Sequence, residues 1–554
     1  MTSNERLVYM PLGGAGEIGM NMYLYGWGAP GRERWIMVDI GVTFPSMDGS
    51  PGVDLIMADT SFIEERLDSL EAIFITHGHE DHVGALGYLW SKVGNRPVYT
   101  RAFTGIIARQ KLESAGIEPS AVTVVEPMPD MVEAGPFKVG FLPVSHSIPE
   151  ASAMVIDTPA GRVLHTGDLK LDPDPQLGEA FDPEALREVA GKDLLALVCD
   201  STNVFSPDPG RSEADIIEDI EAMMKEATGM VVATTFASNI ARLRTLARAA
   251  ANQGRAVVLL GRAMNKMIGY ARDADLLHDF PNVVDVKEAA DIPREHLFAL
   301  STGSQGEPRA ATAALARDKY MGIELSKGDT FLFSSKTIPG NEIGVGRLVN
   351  GLAEKGVRVV EEDARYHVSG HANRPDLSRV HTLTAPQFIV PMHGEYRHLK
   401  EHLELAESNG YGAAIVPNGT MIDLSHNQGE VLDIIETGRT YLDGSVLIGA
   451  MDGVVRERVR MALRGLVAVS VVIDEEDRPL DGVWVELHGL PEAQFGSLQQ
   501  DLEEAIEADL SRVKLRDLKD DDAIVERVSR VARKICNDQV GKKPLVTVMT
   551  NRLA

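Results

Sequence analysis

The chain has 554 residues, too many for one ordinary hydrophobic core, so three or four domains or subdomains are expected. Its 44% hydrophobic and 25% charged residues are typical of a soluble globular protein, no apolar run approaches the roughly 18–20 residues of a membrane span, and the polar N-terminus lacks a signal pattern. A net charge of −27 excludes a generally basic surface that coats nucleic acid, and the two cysteines, Cys199 and Cys536, exclude a disulfide framework and predict a reducing cytoplasm.

The predicted secondary-structure pattern of the chain changes twice before residue 450. Up to about residue 205, short apolar runs alternate with Gly, Pro and Asp turns and predict a sheet-rich region. Between 206 and 360, helical periodicity alternates with strand-like runs, which indicates βαβ units. From 361 to 447 the pattern of strands and turns returns. We therefore expect one sheet-rich domain, residues 1–205 and 361–447, split by an inserted α/β domain, residues 206–360.

The last hundred residues differ again and predict a separate α+β domain. Two strands, 466–473 and 482–487, precede two charged amphipathic helices, 496–514 and 520–537, and a final strand, 544–549. The predicted domain covers residues 465–554 and follows a linker, residues 448–464. It contains no catalytic motif, and we expect it to mediate self-association.

A cluster of metal-ligand residues follows the apolar run Leu70 to Thr76, which predicts a buried strand. Within six residues it contains His77, His79, Asp81 and His82. Imidazole and carboxylate together suit zinc or manganese, and alternate positions let several side chains meet at one point. The alternative, a solvated polar turn, explains this density of ligands poorly. The cluster predicts a hydrolytic metalloenzyme.

Further ligands are expected at the ends of three other strands. His146 follows the run 141–145, Asp168 follows 162–167 and His393 follows 388–392. Taken alone, His146 or His393 would be read as a structural histidine, as we read His165. Together with the cluster they give seven ligands, more than one tetrahedral ion needs, so we infer two ions bridged by Asp168. Two such ions hold a hydroxide between them as nucleophile and neutralise phosphoryl charge, but the cluster does not choose between phosphodiester, lactam, lactone and thioester hydrolysis.

A glycine-rich segment near the N-terminus imitates a dinucleotide-binding motif. Gly14-Ala-Gly-Glu-Ile-Gly19 matches G-x-G-x-x-G after a strand, and Asp39 stands twenty residues further on. The required helix is missing, because residues 20–25 look extended. A glycine turn between two strands is the better reading, with Asp39 supporting a metal ligand through a hydrogen bond.

Several motifs together resemble one enzyme family. Besides the ligands, these are residues 13–19, 165–170, 200–203, 235–239, 302–308, 338–341, 367–371 and 391–395. In this order they resemble the β-CASP nucleases of the metallo-β-lactamase superfamily, and most closely the ribonuclease J family. The resemblance is dense from residue 7 to about 450.

This resemblance implies an αββα sandwich with an inserted β-CASP domain and a cytoplasmic enzyme of RNA processing, rRNA maturation and mRNA decay. It implies 5′-to-3′ exonuclease and endonuclease action on single-stranded RNA, with a preference for a 5′-monophosphate. It also implies two Zn²⁺ or Mn²⁺ ions per chain, a homodimer or homotetramer, RNA-decay partners and no membrane association. The implied ligands are His77, His79 and His146 for the first ion, Asp81, His82 and His393 for the second, and Asp168 for both.

The resemblance also implies roles for residues outside the ligand set. Asp200 and His371 match two β-CASP motifs, and a protonated His371 would donate to the scissile phosphate or the departing 3′ oxygen. Substrate phosphates are expected at Ser238 and Asn239, before a helix, and along the segment His367, Val368, Ser369, Gly370 and His371. Ordinary N-capping is the alternative for the first pair. For Arg242, Arg244 and Arg248, an RNA channel and a solvated helix face stay equally open.

Three alternative functions remain. A DNA exonuclease is one, because no residue in the sequence can be seen to sense the 2′-hydroxyl. A small-molecule lactonase or thioesterase is another, although the insertion and the motif at 369–371 argue against it. A non-catalytic RNA-binding subunit would have lost ligands, and none of the seven is lost.

Overall fold

The computed structural model describes residues 4–46, 49–338, 340–426, 428–480, 482–494 and 496–553. Pro339 of the motif at 338–341 and residues 1–3 of the polar N-terminus lie outside these ranges. The chain divides into two compact units, Met1–Thr43 with Met57–Gly438, and Phe44–Ile56 with Arg439–Ala554. Each is described by itself.

The first unit contains a two-sheet sandwich. One sheet has eight strands, in the spatial order Val431–Ile434, Thr420–Asp423, Arg6–Gly13, Met22–Gly28, Arg34–Val38, Leu70–Phe74, Val98–Thr100 and Val122–Val124. The other has seven, in the order Met131–Ala134, Phe137–Pro143, Ser152–Thr158, Gly161–His165, Leu194–Asp200, Phe388–Met392 and Gly412–Ala413. The second sheet therefore unites strands from before and after the insertion.

The core of the sandwich lies between the two sheets. Tyr9 and Phe74 of the first sheet pack in one apolar cluster with Phe141 and Val198 of the second. Residues that alternate with these, such as Leu197, are buried too, so the outer faces are also covered. Helices cover these outer faces. The helices of the sandwich are Ser61–Glu64, Glu80–Val83, Leu86–Leu89, Ala102–Ser114, Pro183–Ala190, Arg374–Thr384 and Tyr396–Ser408. The predicted αββα sandwich is confirmed by these two sheets and their outer helices.

The inserted region forms a five-stranded parallel sheet. Its spatial order is Ala256–Leu260, Leu297–Ser301, Val231–Thr234, Thr330–Phe333 and Arg358–Val360. The accompanying helices are Ile217–Glu226, Ile240–Asn252, Arg262–Asp273, Val286–Ala289, Ala311–Arg317 and Glu342–Glu354. The central strands are buried along their whole length, as expected of parallel strands covered on both faces. This is the predicted α/β insertion.

The second unit is built around a three-stranded sheet, in the order Trp484–His488, Leu466–Ile473 and Leu545–Arg552. Its helices are Val454–Arg464, Leu498–Leu510, Leu515–Leu518 and Asp521–Val540, of which the second and fourth pack on the sheet through Leu502, Ile506 and Val528. The predicted α+β character is confirmed. The segment expected to be a linker, 448–464, contains the helix Val454–Arg464.

A further difference from the sequence prediction concerns residues 44–56, which join the second unit. The backbone N–H of Asp54 donates to the carbonyl of Leu442, and its carboxylate accepts from the N–H of Gly444. The hairpin of Arg439–Asp443 and Val446–Gly449 thus takes up a segment from far away in the sequence. Among the described residues, no helix combines the length and apolar character needed to cross a bilayer.

Candidate metal centre

The histidine cluster begins where the buried strand Leu70–Phe74 ends. That strand runs parallel to Arg34–Val38, so Asp39 and His77 emerge at the same edge of the sheet. His79 then stands at the N-terminus of the short helix Glu80–Val83, which brings Asp81 and His82 back toward the strand end. The alternation of strand end and single helical turn is what makes the side chains converge.

The structure brings all seven predicted ligands together in two groups. His77, His79, His146 and Asp168 form one group, and Asp81, His82, Asp168 and His393 form the other; within each, one potential ligand atom per residue lies within 4.8 Å of all the others. Asp168 belongs to both. Its Oδ2 lies 3.3 Å from Nε2 of His82 and 3.6 Å from Nε2 of His146, while its Oδ1 lies 2.7 Å from Nδ1 of His393.

The donor set fits divalent cations. It consists of imidazole nitrogens and carboxylate oxygens, the ligands of zinc and manganese. In addition, Nε2 of His393 is buried without a hydrogen-bond partner among the described residues, and 3.4 Å away lies Oδ2 of Asp81. An uncompensated buried nitrogen is costly, and a bound cation would compensate it.

The first group of histidines is held in the neutral form that binds metal. Burial lowers the pKa of His77 and His146 well below the usual range, and neighbouring imidazoles lower it further. Burial likewise lowers the pKa of His79 to about 4. Neutral imidazoles keep a lone pair free at neutral pH, as a metal ligand must.

In the second group the histidine pKa values are raised and not lowered. Burial alone would lower the pKa of His82 and His393, but the surrounding carboxylates outweigh it, raising that of His82 well above its usual range and that of His393 to about 10. Burial acts against ionisation of Asp81 and Asp168 as well, yet the adjacent histidines lower both carboxyl pKa values. The site thus favours positive charge, which a divalent cation supplies in place of protons.

Asp39 orients His82 from behind. Its Oδ2 lies 2.7 Å from Nδ1 of His82, and Oδ1 accepts from the backbone N–H of Thr76 at 2.8 Å. Nε2 of His82 lies 3.0 Å from Nδ2 of Asn21 and 3.3 Å from Oδ2 of Asp168. With Nδ1 held by Asp39, Nε2 is the nitrogen of His82 that faces Asp168.

Close backbone packing fixes the ligand loop. The carbonyl of Asp81 accepts from the backbone N–H of Asn21 at 2.9 Å, and the carbonyl of His82 accepts from Ile40 at 2.8 Å. A Cβ atom at Gly41 would lie 1.7 Å from the carbonyl oxygen of Asp81, so only glycine fits there. The glycine turn at 14–19 is also present, between the strands Arg6–Gly13 and Met22–Gly28, with no helix after it.

His371 and Asp200 stand beside the two ligand groups. Nδ1 of His371 lies 2.7 Å from Oδ2 of Asp200, and the His371 ring centroid is 5.0 Å from that of His146. Burial lowers the pKa of His371, but Asp200 and Asp168 outweigh it and raise the value. The carbonyl of Gly370 accepts from Nδ1 of His146 at 2.5 Å, so this segment also orients a ligand.

The predicted phosphate-binding residues are placed with mixed results. Asn239 caps the helix Ile240–Asn252, since its side chain accepts from the N–H of Arg242 at 3.0 Å, as the capping alternative predicts. The side chain of Ser238 is half-buried and has no hydrogen bond to other described residues. The hydroxyl of Ser369 accepts from the N–H of His371 at 3.1 Å. Val368 is buried.

Arg242 contradicts both interpretations of the helical arginines. Its side chain is 0% exposed and forms a bidentate ion pair with Glu213, so it lies neither in an open channel nor on a solvated face. Its Nη1 also donates to Ser334 Oγ at 2.8 Å and lies 3.2 Å from Nδ1 of His367. The signal missed in the sequence is that position 242 lies on the buried face of its helix, four residues before Leu246.

The other two arginines of this helix pair with one acid at the surface. Arg244 and Arg248 both contact the carboxylate of Asp279, at 2.6 and 2.5 Å. Lysine and arginine charges still gather around His367, whose pKa burial lowers to about 3, with further lowering by Arg242, Lys336 and Lys170.

Two more groups of possible ligands are present in the described part of the chain: Asp200 and His371 form one with Asp168 and His393, and the other went unnoticed in the sequence. Cys199, His381 and His402 are buried with ligand atoms within 4.8 Å of one another. Nε2 of His381 lies 3.0 Å from Nε2 of His402, whose Nδ1 lies 2.9 Å from the hydroxyl of Ser201. Hydrogen bonds thus satisfy the imidazoles, in contrast to His393. Nδ1 of the buried His165 lies 3.0 Å from the hydroxyl of Tyr25, and its Nε2, like that of His393, has no hydrogen-bond partner among the described residues, but His165 belongs to neither ligand group.

Comparison with known families and proteins gives matches along nearly the whole chain. Residues 16–205 match the metallo-β-lactamase superfamily, 228–352 the β-CASP domain of ribonuclease J, 356–417 the RNA specificity domain of Zn-dependent metallo-hydrolases, and 453–553 the C-terminal domain of ribonuclease J.

Individual relatives carry the same name. The chain is 40% identical to ribonuclease J of Sinorhizobium meliloti, over 100% of this chain and 98% of that protein. It is 33% identical to ribonuclease J of Mycolicibacterium smegmatis, over 97% and 95% of the two chains. A crystal structure of a protein of unknown function from Enterococcus faecalis is similar in fold, with a TM-score of 0.52 and 19% identity over 76% of this chain and 100% of that one.

Proposed function

The chain belongs to the ribonuclease J family and is a metal-dependent nuclease, and from this premise we propose that it degrades single-stranded RNA from a 5′-monophosphate end and also cleaves internally. The observation that carries the proposal is that two ligand groups share Asp168 directly beside the His371–Asp200 pair. That arrangement offers charge neutralisation and a proton donor at one place, which hydrolysis of a phosphodiester needs.

Two divalent ions are assigned to the two ligand groups. His77, His79 and His146 would hold one, Asp81, His82 and His393 the other, and Asp168 would contact both. Zn²⁺ or Mn²⁺ suits these donors. When bound, such ions supply a nucleophile at neutral pH and neutralise phosphoryl charge.

His371 is assigned the role of proton donor. Asp200 holds Nδ1, which leaves Nε2 for the substrate, and Asp200 and Asp168 raise the pKa of the imidazole, which favours its protonated form. As a hydroxide forms the new bond to phosphorus, the bond from phosphorus to the 3′ oxygen breaks and that oxygen takes the proton from His371. The remaining RNA keeps the phosphate at its 5′ end, so each cut regenerates the preferred end for the next.

The 5′-phosphate is assigned to the N-terminus of the helix Ile240–Asn252 and to the segment 367–370. Ser238 precedes that helix, and helix N-termini attract phosphate. Lys336 is exposed near His367 and supports an anion there in a chain of net charge −27, whereas Arg242 and Lys170 already pair with Glu213 and Asp172. Asn239 contributes by fixing the helix start, since its side chain is engaged in capping.

The remaining assignments concern self-association, domain boundaries, partners and cellular location. We assign self-association into dimers or tetramers to residues 465–554, and keep 205, 360, 447 and 464 as the proposed domain boundaries. Cytoplasmic RNA-decay partners are part of the same proposal. Removing residues 465–554 should lower the oligomeric mass in light scattering; a truncated protein with the full oligomeric mass would refute this role.

The substrate test compares four oligonucleotides of one sequence in the presence of manganese: 5′-phosphorylated RNA, 5′-hydroxyl RNA, and the two matching DNAs. The phosphorylated RNA should be degraded fastest, releasing 5′-mononucleotides. Equal rates on all four would refute 5′-end-dependent ribonuclease action, and faster DNA degradation would make the chain a DNA exonuclease.

The site test uses Asp81→Ala and His79→Ala. Loss of a ligand removes several kcal/mol of charge stabilisation, so the rate should fall at least about a thousand-fold. His165→Gln, outside the ligand groups, is the matched control and should keep most activity. Full activity in either ligand variant would show that the site is misassigned.

A further inference from the structure

An exposed phenylalanine lies one layer of side chains away from the candidate metal centre. Phe205 is 50% exposed, although burying an aromatic ring is normally favourable. It follows Asp200 by five residues in a loop that is fixed to the site, because Thr202 Oγ1 donates to the carbonyl of the ligand His393 at 3.1 Å. The ring is therefore held in position and not merely left in solvent.

Two residues of the helix Tyr396–Ser408 support the ring. The imidazole of His398 meets it edge to face, with ring centroids 5.2 Å apart, and the guanidinium carbon of Arg397 lies 5.8 Å from its centroid. His398 in turn packs against the residue after His393, since a Cβ on Gly394 would lie 2.7 Å from that of His398. Phe205 thus contacts a side chain that packs against Gly394, the residue that follows the proposed ligand His393.

The far side of the loop is also anchored. Ser206 Oγ donates to Asn203 Oδ1 at 3.0 Å, and the N–H of Arg374 donates to the carbonyl of Ser206 at 3.1 Å. Arg374 follows His371 by three residues. The loop that presents Phe205 is therefore anchored to both segments that supply the proposed chemistry.

We propose that Phe205, with Arg397 beside it, forms a stacking platform for one nucleobase of the RNA substrate. Every base has a π-face, so an aromatic ring binds single strands with little sequence preference. Arg397 donates through Nε to Glu395 at 2.7 Å, and this ion pair holds its guanidinium beside the ring, where it adds a cation–π contribution. This platform rests on the proposed function, because the base belongs to the RNA that the site cleaves.

The experiment combines a protein variant with a missing base. The full-length protein with manganese is given 5′-phosphorylated RNA of one sequence, intact or with an abasic nucleotide at one of the first several positions. Phe205→Leu removes the π-face but keeps an apolar side chain, and Phe205→Trp keeps a π-face. Tyr88→Leu, at a 37% exposed tyrosine elsewhere, is the control for losing an aromatic side chain.

With intact RNA, Phe205→Leu should raise KM about ten-fold with a smaller change in kcat, while Phe205→Trp and Tyr88→Leu stay near the original value. At one position the abasic RNA should raise KM for the original protein but not for Phe205→Leu, since base and ring are lost together. If Phe205→Leu and the abasic nucleotide raise KM independently, so that their effects multiply at every position tested, the platform is overturned. If the original protein degrades no RNA, the proposed function fails. If the original protein degrades RNA and Phe205→Leu has the same KM as the original protein, only the platform fails.

Discussion

Asp39 and His82 form a buried pair in which Oδ2 of the carboxylate lies 2.7 Å from Nδ1 of the imidazole, on the side away from Asp168. The contact fixes which nitrogen of His82 can bind metal. Asp39 achieves it with a left-handed backbone, φ 63°, directly at the end of the strand Arg34–Val38.

Asp39→Asn should weaken metal binding about 10–100-fold, because an amide holds the tautomer of His82 less firmly than a carboxylate. Asparagine tolerates the left-handed backbone and has nearly the same volume, so the fold should survive. Titration calorimetry with Mn²⁺ or Zn²⁺ measures the change. An unchanged affinity would mean that Asp39 supports the fold and not the ligand.

Asp168→Ala should reduce metal content more than His79→Ala. His79 belongs to one ligand group, so its loss should leave about one ion of the two proposed, whereas Asp168 belongs to both groups. Elemental analysis of protein dialysed against a fixed metal concentration gives the counts. His402→Gln should keep the original content, because His402 belongs to a hydrogen-bonded group; a lower count would indicate an additional metal there.

Glu213→Ala should destabilise the inserted domain by about 3–5 kcal/mol, since it leaves the guanidinium of Arg242 buried without its partner. Arg248→Ala breaks an exposed ion pair with Asp279 and should change stability by at most about 1 kcal/mol. Hydrogen exchange in residues 228–352 measures the two effects in the same domain. Equal protection in both variants would contradict the assigned role of the buried pair.

The pair His381 and His402 should make stability depend on pH. Burial lowers the pKa of His381 to about 4 and that of His402 well below its usual range, while an unfolded chain has a histidine pKa of about 6.5. Below about 6.5 the unfolded chain binds protons that the folded chain does not bind, so the unfolding free energy falls as the pH drops from about 6.5 toward 4.

His402→Gln should therefore show a smaller fall in unfolding free energy than the original protein over this range, by roughly 1–3 kcal/mol. Denaturant unfolding at pH 7, 6 and 5, at one metal concentration, tests this. The metal-ligand histidines contribute equally in both proteins and cancel in the comparison. Parallel curves would show that His402 is already protonated in the fold.

The convergence of the proposed ligands could be predicted from the sequence because several of them follow strands, and strand ends on one edge of a sandwich meet. His77, His146 and Asp168 were identified in this way, and the structure brings them together. The inserted parallel sheet was equally visible, as its buried strands alternate with amphipathic helices.

Contacts that depend on distant partners could not be predicted. Arg242 can be buried because it forms hydrogen bonds with Glu213 and Ser334, and no sequence pattern near Arg242 indicates that either residue is its partner. For the same reason the joining of residues 44–56 to the second unit was missed, since its partner strand begins at Arg439. Asn239 shows a different limit, because capping and phosphate binding require the same residue at the same place.

Gly41 limits which side chains the ligand loop can accommodate. Since a single methyl group there would meet the carbonyl oxygen of Asp81 at 1.7 Å, the smallest possible side chain would displace the backbone that carries two proposed ligands. We therefore expect position 41 to tolerate substitution no better than the proposed ligands do, although glycine itself has no functional group to offer.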